Sequence, residues 1–129
     1  PLEPYWRPGN GLGCLSGYIR FFGTSAYGEI QVLSGEFAGK SFPIYGNEEI
    51  RIGRDPKRAD IVLGEVNRMI SGLHCSIQYN EEENVYFVTD YSSNGTFSEN
   101  RRLLFETPVA VKCGTVLTLG PSEMVVRLL

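Results

Sequence analysis

The sequence predicts an all-β domain, either an antiparallel sandwich or a barrel, from three observations. Fifteen glycines and seven prolines interrupt the 129 residues at short intervals, and β-branched and aromatic residues fill the segments between them, as in short strands joined by turns. Several segments alternate apolar and polar residues with the period of two that a strand requires. No window of a dozen residues keeps apolar positions at the spacing of an amphipathic helix, so substantial helix is not expected.

The predicted strands are short and follow one another closely along the chain. In the segment around residue 77, Cys75, Ile77 and Tyr79 are expected to share one face of a sheet, and 124–129 alternates in the same way. Ten segments are predicted to be strands: 29–33, 41–45, 49–53, 60–63, 74–79, 85–89, 95–98, 102–105, 115–119 and 124–128.

Two of the connecting turns have a distinctive composition. The acidic run at 80–84 is typical of a solvated hairpin tip. The dipeptide Asn94-Gly95 favours positive φ and predicts a tight hairpin.

Composition and charge exclude several classes of function. A hydrophobic fraction of 42% supports a packed core, and a formal net charge of −3 gives no overall positive field. Nucleic acid and acidic membrane surfaces are therefore not expected partners. The apolar runs also fall far short of the roughly 20 residues of a membrane span.

The three cysteines, Cys14, Cys75 and Cys113, are odd in number and far apart. This spacing is typical neither of a disulfide framework nor of a zinc site. We therefore expect reduced thiols, no metal, and an intracellular location, cytoplasmic or nuclear.

The chain divides by composition into two parts. Residues 1–27 form an extension rich in proline and glycine, and residues 28–129 form the β domain. The segment 17–22 is predicted as a further edge strand, and Tyr5 and Trp6 either pack on the core or contact a partner. The absence of an initiator methionine, with a strand predicted to run into the last residue, suggests a module of a longer multidomain protein.

A basic stretch follows the strand predicted at 49–53. Gly53 permits a close turn there, and Arg54 then lies at the mouth of a loop that also contains Lys57 and Arg58. Arginine suits phosphate because its planar fork donates paired, charge-assisted hydrogen bonds. Taken alone, however, this stretch is more typical of a solvated basic loop.

Two polar turns accompany it. Ser71-Gly-Leu-His74 offers a hydroxyl and the backbone N–H groups of a glycine-containing turn, which suit an oxyanion. In the turn 90–97, the Asn94 side chain has a donor and an acceptor for the backbone of an extended peptide. Each turn by itself carries little information, because ordinary hairpins contain such residues.

The order of the three motifs, G-R at 53–54, S-x-x-H at 71–74 and S-N-G-T at 93–96, resembles the forkhead-associated (FHA) domain family. The segment 28–44 also resembles the opening hairpin of that family. The resemblance covers 28–129 and implies an antiparallel β-sandwich of about eleven short strands in two sheets. Loops at one end of that sandwich would bind phosphothreonine peptides of a partner protein.

The resemblance also implies roles for individual residues. Arg54 would donate to the phosphate oxygens, and Ser71 would add its hydroxyl and backbone. Ser93 would lie beside the phosphothreonine, and Asn94 would bind main-chain groups of the peptide.

The remaining positions of the motifs are architectural by the same resemblance, with one departure. Gly53 and Gly95 would give the backbone room, and His74 would fix the loops by hydrogen bonds. Several members of the family have Lys, Arg or Asn after the serine, where this chain has Gly72. We expect the Gly72 N–H, or the Arg68 side chain, to compensate for the missing donor.

Two other functions are alternatives to phosphopeptide binding. An interaction or assembly module of the same fold that binds independently of phosphorylation stays open, with Gly72 as its main support. An enzyme is not expected, because the sole histidine, His74, and its neighbour Cys75 would point to opposite faces of a strand. No nucleotide-binding loop or metal-ligand cluster is present in the sequence, so no cofactor is predicted.

Overall fold

The computed structural model describes residues 27–129, which form eleven β-strands. The predictions for the extension, including the edge strand at 17–22 and the packing of Tyr5 and Trp6, lie outside the described residues. The strands are β1 (Tyr27–Ser34), β2 (Ser41–Tyr45), β3 (Glu49–Gly53), β4 (Ile61–Val62), β5 (Cys75–Asn80), β6 (Val85–Asp90), β7 (Thr96–Ser98), β8 (Arg101–Arg102), β9 (Val109–Lys112), β10 (Val116–Leu119) and β11 (Met124–Leu128).

The strands form two sheets. One has six strands in the order β2-β1-β11-β10-β7-β8, and the other has five in the order β4-β3-β5-β6-β9. Among the described residues the paired strands are antiparallel except β3 and β4, which run parallel. The predicted all-β sandwich is confirmed, and the segment 28–44 forms the β1–β2 hairpin.

The core lies between the two sheets and follows the predicted alternation. On β11, Met124, Val126 and Leu128 are fully buried, whereas Arg127 is exposed. Burial of an aliphatic side chain of this kind contributes about 1.5–3 kcal/mol. The opposing sheet contributes the fully buried side chains of Ile52, Cys75, Ile77, Tyr79, Tyr86 and Val88.

The strand predictions differ from the structure at two places in the C-terminal half of the chain. Strand β9 was not predicted, because its valines are only half-buried at a sheet edge and follow Pro108. The predicted strand 102–105 is reduced to Arg101–Arg102. Within that segment Leu103 is buried in the core, whereas Leu104 and Phe105 are 64% and 55% exposed and contribute little to it.

The tight hairpin predicted at Asn94-Gly95 was also wrong. The turn connects β6 in one sheet with β7 in the other, and within the dipeptide Gly95 alone has positive φ, at 98°. A hairpin between neighbouring strands would need a different path, because β6 and β7 are not paired. The dipeptide therefore marks a crossover between the sheets, at the end where the motifs lie.

The cysteines depart in part from the prediction. Cys75 is free and fully buried, and this burial raises the pKa of its thiol to about 12. Cys113 is disulfide-bonded, so the prediction of reduced thiols was wrong for that residue. The count and spacing of cysteines do not report which of them approach one another in space. Within residues 27–129, no cluster of metal-ligating side chains is found, and no helix there is long and apolar enough to cross a membrane.

Candidate functional site

Three loops meet at one end of the sandwich, and we call them the site loops: residues 54–60, 63–74 and 91–95. Backbone hydrogen bonds join them directly. The Arg54 N–H donates to the Ser71 carbonyl at 3.1 Å, and the Asp55 N–H donates to the Gly72 carbonyl at 3.1 Å. The Tyr91 N–H donates to the His74 carbonyl at 2.9 Å. The structure thus brings together the three motifs that the sequence singled out.

Arg54 is half-buried, and its guanidinium is oriented by a backbone carbonyl. The Nε–H donates to the Ile70 carbonyl oxygen at 2.5 Å. No hydrogen bond or ion pair within residues 27–129 engages the two terminal nitrogens. A guanidinium whose Nε–H is fixed and whose terminal N–H groups are unused is suited to donate two hydrogen bonds to one anion.

The Ser71 hydroxyl faces the third site loop. Its Oγ accepts the Ser93 N–H at 3.1 Å. Since the oxygen already accepts from that amide, and its own proton has no acceptor among the described residues, the O–H remains available to donate to a ligand. Ser93 itself is exposed.

Asn94 lies across the same loops. Its Nδ2 donates to the Met69 carbonyl at 3.1 Å and lies 3.9 Å from the Met69 sulfur. Its Oδ1 accepts no hydrogen bond in the described part of the chain. The amide is therefore held in place with an acceptor left over, as an extended peptide backbone requires.

His74 is completely buried beneath these residues and links two site loops. Its Nδ1 accepts the Ser71 N–H at 3.1 Å, and its Nε2 lies 2.9 Å from the Gly95 carbonyl oxygen. A ring nitrogen that accepts cannot carry the proton, so the imidazole is the neutral tautomer whose Nε2–H donates to Gly95. Burial lowers the pKa of His74, in agreement with this neutral form.

The glycines of the motifs permit close backbone contact. A Cβ built on Gly53 would collide with the carbonyl of Gly72 on the neighbouring loop. A Cβ on Gly95 would lie 2.7 Å from the ring of Phe97, and its φ of 98° is disfavoured for other residues. At both positions the local backbone therefore leaves no room for a Cβ.

A buried carboxylate beneath the third site loop was missed in the sequence. Asp90 is fully buried at the end of β6, and its Oδ1 accepts three hydrogen bonds. The donors are the Ser92 N–H at 3.1 Å, the Ser92 hydroxyl at 2.6 Å and the Thr96 hydroxyl at 2.9 Å. The available signal was an aspartate followed two residues later by serine, the pattern of an Asx-turn. Asp90 therefore fixes the backbone on which Ser93 and Asn94 are carried.

Two further side chains hold the loops from outside. The Arg102 guanidinium donates to the carbonyls of Ser92 and Ser93 at 3.2 and 3.4 Å. It also lies 3.8 Å from Asp90 Oδ2, a buried oxygen that has no hydrogen-bond partner among residues 27–129. From the β1–β2 hairpin, Glu36 Oε1 accepts the Gly64 N–H and the Asn67 side-chain amide, each at 2.8 Å. Neither contact has a local sequence signal, because the partners are distant in the chain.

Cations are concentrated at this end of the domain. Lys57, Arg58 and Arg68 are exposed, and within residues 27–129 none of them forms an ion pair. By contrast, Arg51 on β3 lies 3.3 Å from Asp60, and this hydrogen bond lowers the pKa of the aspartate. The site loops therefore carry four cations without an ion pair in the described part of the chain, against the three carboxylates of Asp55, Asp60 and Glu65.

Fold and site together define a β-sandwich recognition domain whose loops at one end present an oriented arginine and a free hydroxyl. A family model for the FHA domain matches residues 50–120, and the chain belongs to the FHA domain family. FHA domains are protein-interaction modules and are generally non-catalytic. The predicted family is thus confirmed.

Solved structures agree with this assignment. The chain is similar to the FHA domain of the CT664 protein from Chlamydia trachomatis, at 27% identity and a TM-score of 0.67, over 80% of this chain and 95% of that one. An FHA domain of a hypothetical protein from Arabidopsis thaliana has 22% identity and a TM-score of 0.67, over 95% and 92%. The MEK1 FHA domain in complex with a HOP1 phosphothreonine peptide has 22% identity and a TM-score of 0.63, over 82% and 97%. A search of curated protein sequences found no match.

Proposed function

We propose that this domain binds a phosphothreonine-containing segment of a partner protein through the site loops. The observation that carries the proposal is the state of Arg54, whose Nε–H is committed to the Ile70 carbonyl while its terminal nitrogens have no partner in residues 27–129. Holding a partly buried guanidinium without a counter-charge costs free energy, which an anionic ligand would offset. A phosphate ester, with a charge of about −1.5 to −2 at neutral pH, is such a ligand.

In the proposed complex each predicted residue has a distinct role. Arg54 donates to two phosphate oxygens, and the Ser71 hydroxyl donates to another. The Gly72 N–H, which donates no hydrogen bond within the described residues, is a third donor beside them. Ser93 flanks the phosphothreonine, and Asn94 uses its free Oδ1 and its amide to bind the peptide backbone.

The family supports the proposal without establishing it for this chain. The similar MEK1 domain was crystallised with a phosphothreonine peptide, and phosphothreonine binding is general among FHA domains. At 22% identity that structure shows the fold alone. The support specific to this chain is the oriented arginine and the hydroxyl beside it.

Binding independent of phosphorylation is the second candidate, and Gly72 is the observation that favours it. A missing charge-assisted hydrogen bond costs about 1.5–3 kcal/mol, or one to two decades of affinity. In that case the same loops would contact a partner through the backbone and the exposed apolar side chains of Val66 and Met69.

A degenerate phosphothreonine peptide library, screened beside its unphosphorylated counterpart, separates the two candidates. We expect wild-type protein to retain phosphorylated members selectively and Arg54→Ala to retain none, with an unchanged circular dichroism spectrum. Equal retention of both libraries, unaffected by Arg54→Ala, would establish the phosphorylation-independent function instead.

A further inference from the structure

The space beside Gly72 contains the end of a basic side chain from another loop. An ideal Cβ at Gly72 would lie 3.3 Å from the terminal Nη1 of Arg58 and 3.4 Å from the Cβ of Asp55. The Arg58 guanidinium therefore lies where a side chain at position 72 would begin. Position 72 directly follows Ser71, whose hydroxyl belongs to the proposed phosphate site.

Arg58 is available for a ligand. It is exposed, and within residues 27–129 its guanidinium makes no ion pair and no hydrogen bond. Its backbone is ordered by a compact turn, in which the N–H groups of Arg58 and Ala59 both donate to the Asp55 carbonyl at 2.9 Å. The side chain thus extends from a fixed base toward Gly72.

The carboxylate of Asp55, on the same loop, makes no ion pair with this cation. Asp55 Oδ1 accepts the backbone N–H of Lys57 at 2.9 Å, and no oxygen of Asp55 comes within ion-pair distance of Arg58. A phosphate at the site would be an additional acceptor for the Arg58 guanidinium. In the free domain the Arg58 guanidinium therefore has no anionic partner among residues 27–129.

We propose that Arg58 is the second phosphate-binding cation of this domain and replaces, from the first site loop, the donor that Gly72 lacks. This inference rests on the proposed phosphopeptide function. The geometry distinguishes Arg58 from Arg68, which is also exposed but has no atom within 4 Å of an ideal Cβ at Gly72. Glycine at 72 leaves this place to the Arg58 guanidinium, which a larger side chain there would have to shift.

The test uses a phosphothreonine peptide selected from the degenerate library and four variants of the domain. Arg58→Gln removes the charge with little change of shape, and Arg127→Gln removes an equal charge from an exposed position on β11. The double variant Arg58→Gln with Gly72→Lys returns a cation from the neighbouring position, and Arg54→Ala reports the function itself. Thermal melting confirms that each variant is folded.

We expect Arg58→Gln to weaken binding about tenfold or more, as loss of a charge-assisted contact does, and Arg127→Gln to leave it unchanged. Adding Gly72→Lys should recover most of the loss. Wild-type affinity in Arg58→Gln together with loss of binding in Arg54→Ala would overturn the role of Arg58 but not the proposed function. Failure of Gly72→Lys to recover affinity would also overturn the role of Arg58. Wild-type affinity in Arg54→Ala would overturn both that role and the proposed phosphopeptide function.

Discussion

The Nδ1 atom of His74 accepts the backbone N–H of Ser71 at 3.1 Å. Through its other nitrogen, the same ring donates to the Gly95 carbonyl at 2.9 Å, so one buried side chain connects two site loops. The contact with Ser71 requires the neutral imidazole, because protonation of Nδ1 would remove the acceptor for that N–H, whereas the Nε2–H could donate to Gly95 in either state. The position of the proposed phosphate donor at Ser71 therefore depends on the protonation state of His74.

We predict that acid destabilises the domain below about pH 6.5. The pKa of His74 is lowered chiefly by burial, while the Gly95 carbonyl and the Asp90 charge oppose this effect and Arg102 adds to it. An unfolded histidine has a pKa of about 6.5. Below that pH the unfolded state binds more protons than the folded state, so the free energy of unfolding decreases as the pH is lowered.

Urea unfolding between pH 7 and pH 5.5 measures this effect, since the chain has one histidine. The unfolding free energy should decrease through this interval in wild type and be nearly flat in His74→Gln. A wild-type domain that becomes more stable on acidification would contradict the assigned tautomer.

Asp90→Ala should destabilise the domain by about 3 kcal/mol, because it leaves three buried donors without an acceptor. The matched change Asp60→Ala removes an exposed carboxylate paired with Arg51 and should alter the urea midpoint only slightly. Comparable midpoints for the two variants would show that the Asp90 network contributes little. Hydrogen exchange at Gly95, whose N–H donates to the Ser92 hydroxyl, should increase in Asp90→Ala alone.

Gly53→Ala should reduce stability by about 2 kcal/mol, since the added methyl forces the Gly72 carbonyl away. Because Ser71 and Gly72 share that loop, phosphopeptide affinity should fall in parallel. In the control Gly39→Ala the methyl meets no atom, and only the positive φ is penalised, by about 1 kcal/mol. If folded Gly53→Ala keeps its phosphopeptide affinity, the close contact between Gly53 and the Gly72 carbonyl is not needed for binding.

Asn94→Ala should lower affinity for a phosphorylated peptide and for its unphosphorylated twin by similar factors. Its proposed contacts are with the peptide backbone, which both ligands share, whereas Arg54 contacts the phosphate that only one of them has. Titration of both peptides into Asn94→Ala and Arg54→Ala should therefore preserve the affinity ratio in the first variant and remove it in the second. A ratio that changes in Asn94→Ala would assign this residue to the phosphate.

Much of the fold was predictable because its determinants are local. The period of two in 124–128 and the punctuation by glycine and proline located most strands. Strand β9 was not, since an edge strand with half-buried valines has a weak pattern, and β8 is shorter than the strand predicted there. The crossover at Asn94-Gly95 could not be distinguished from a hairpin, because the dipeptide reports local φ and not which sheet receives the chain.

The sequence motifs predict only part of the candidate site. Arg54, Ser71, His74 and Asn94 were identified from their order in the chain. The contacts of Glu36 and Arg102 were not, because each links segments that are separated in the chain, whereas the local Asx-turn pattern at Asp90 was missed. The position of Arg58 over Gly72 likewise depends on the path of a loop.

The most direct measurement is the affinity of wild-type protein for one library-selected phosphothreonine peptide and for its unphosphorylated twin, by titration calorimetry at low and high salt. We predict at least about tenfold tighter binding of the phosphorylated form, with the difference reduced as salt screens the exposed loops. Equal affinity for the two peptides at both salt concentrations would contradict the account.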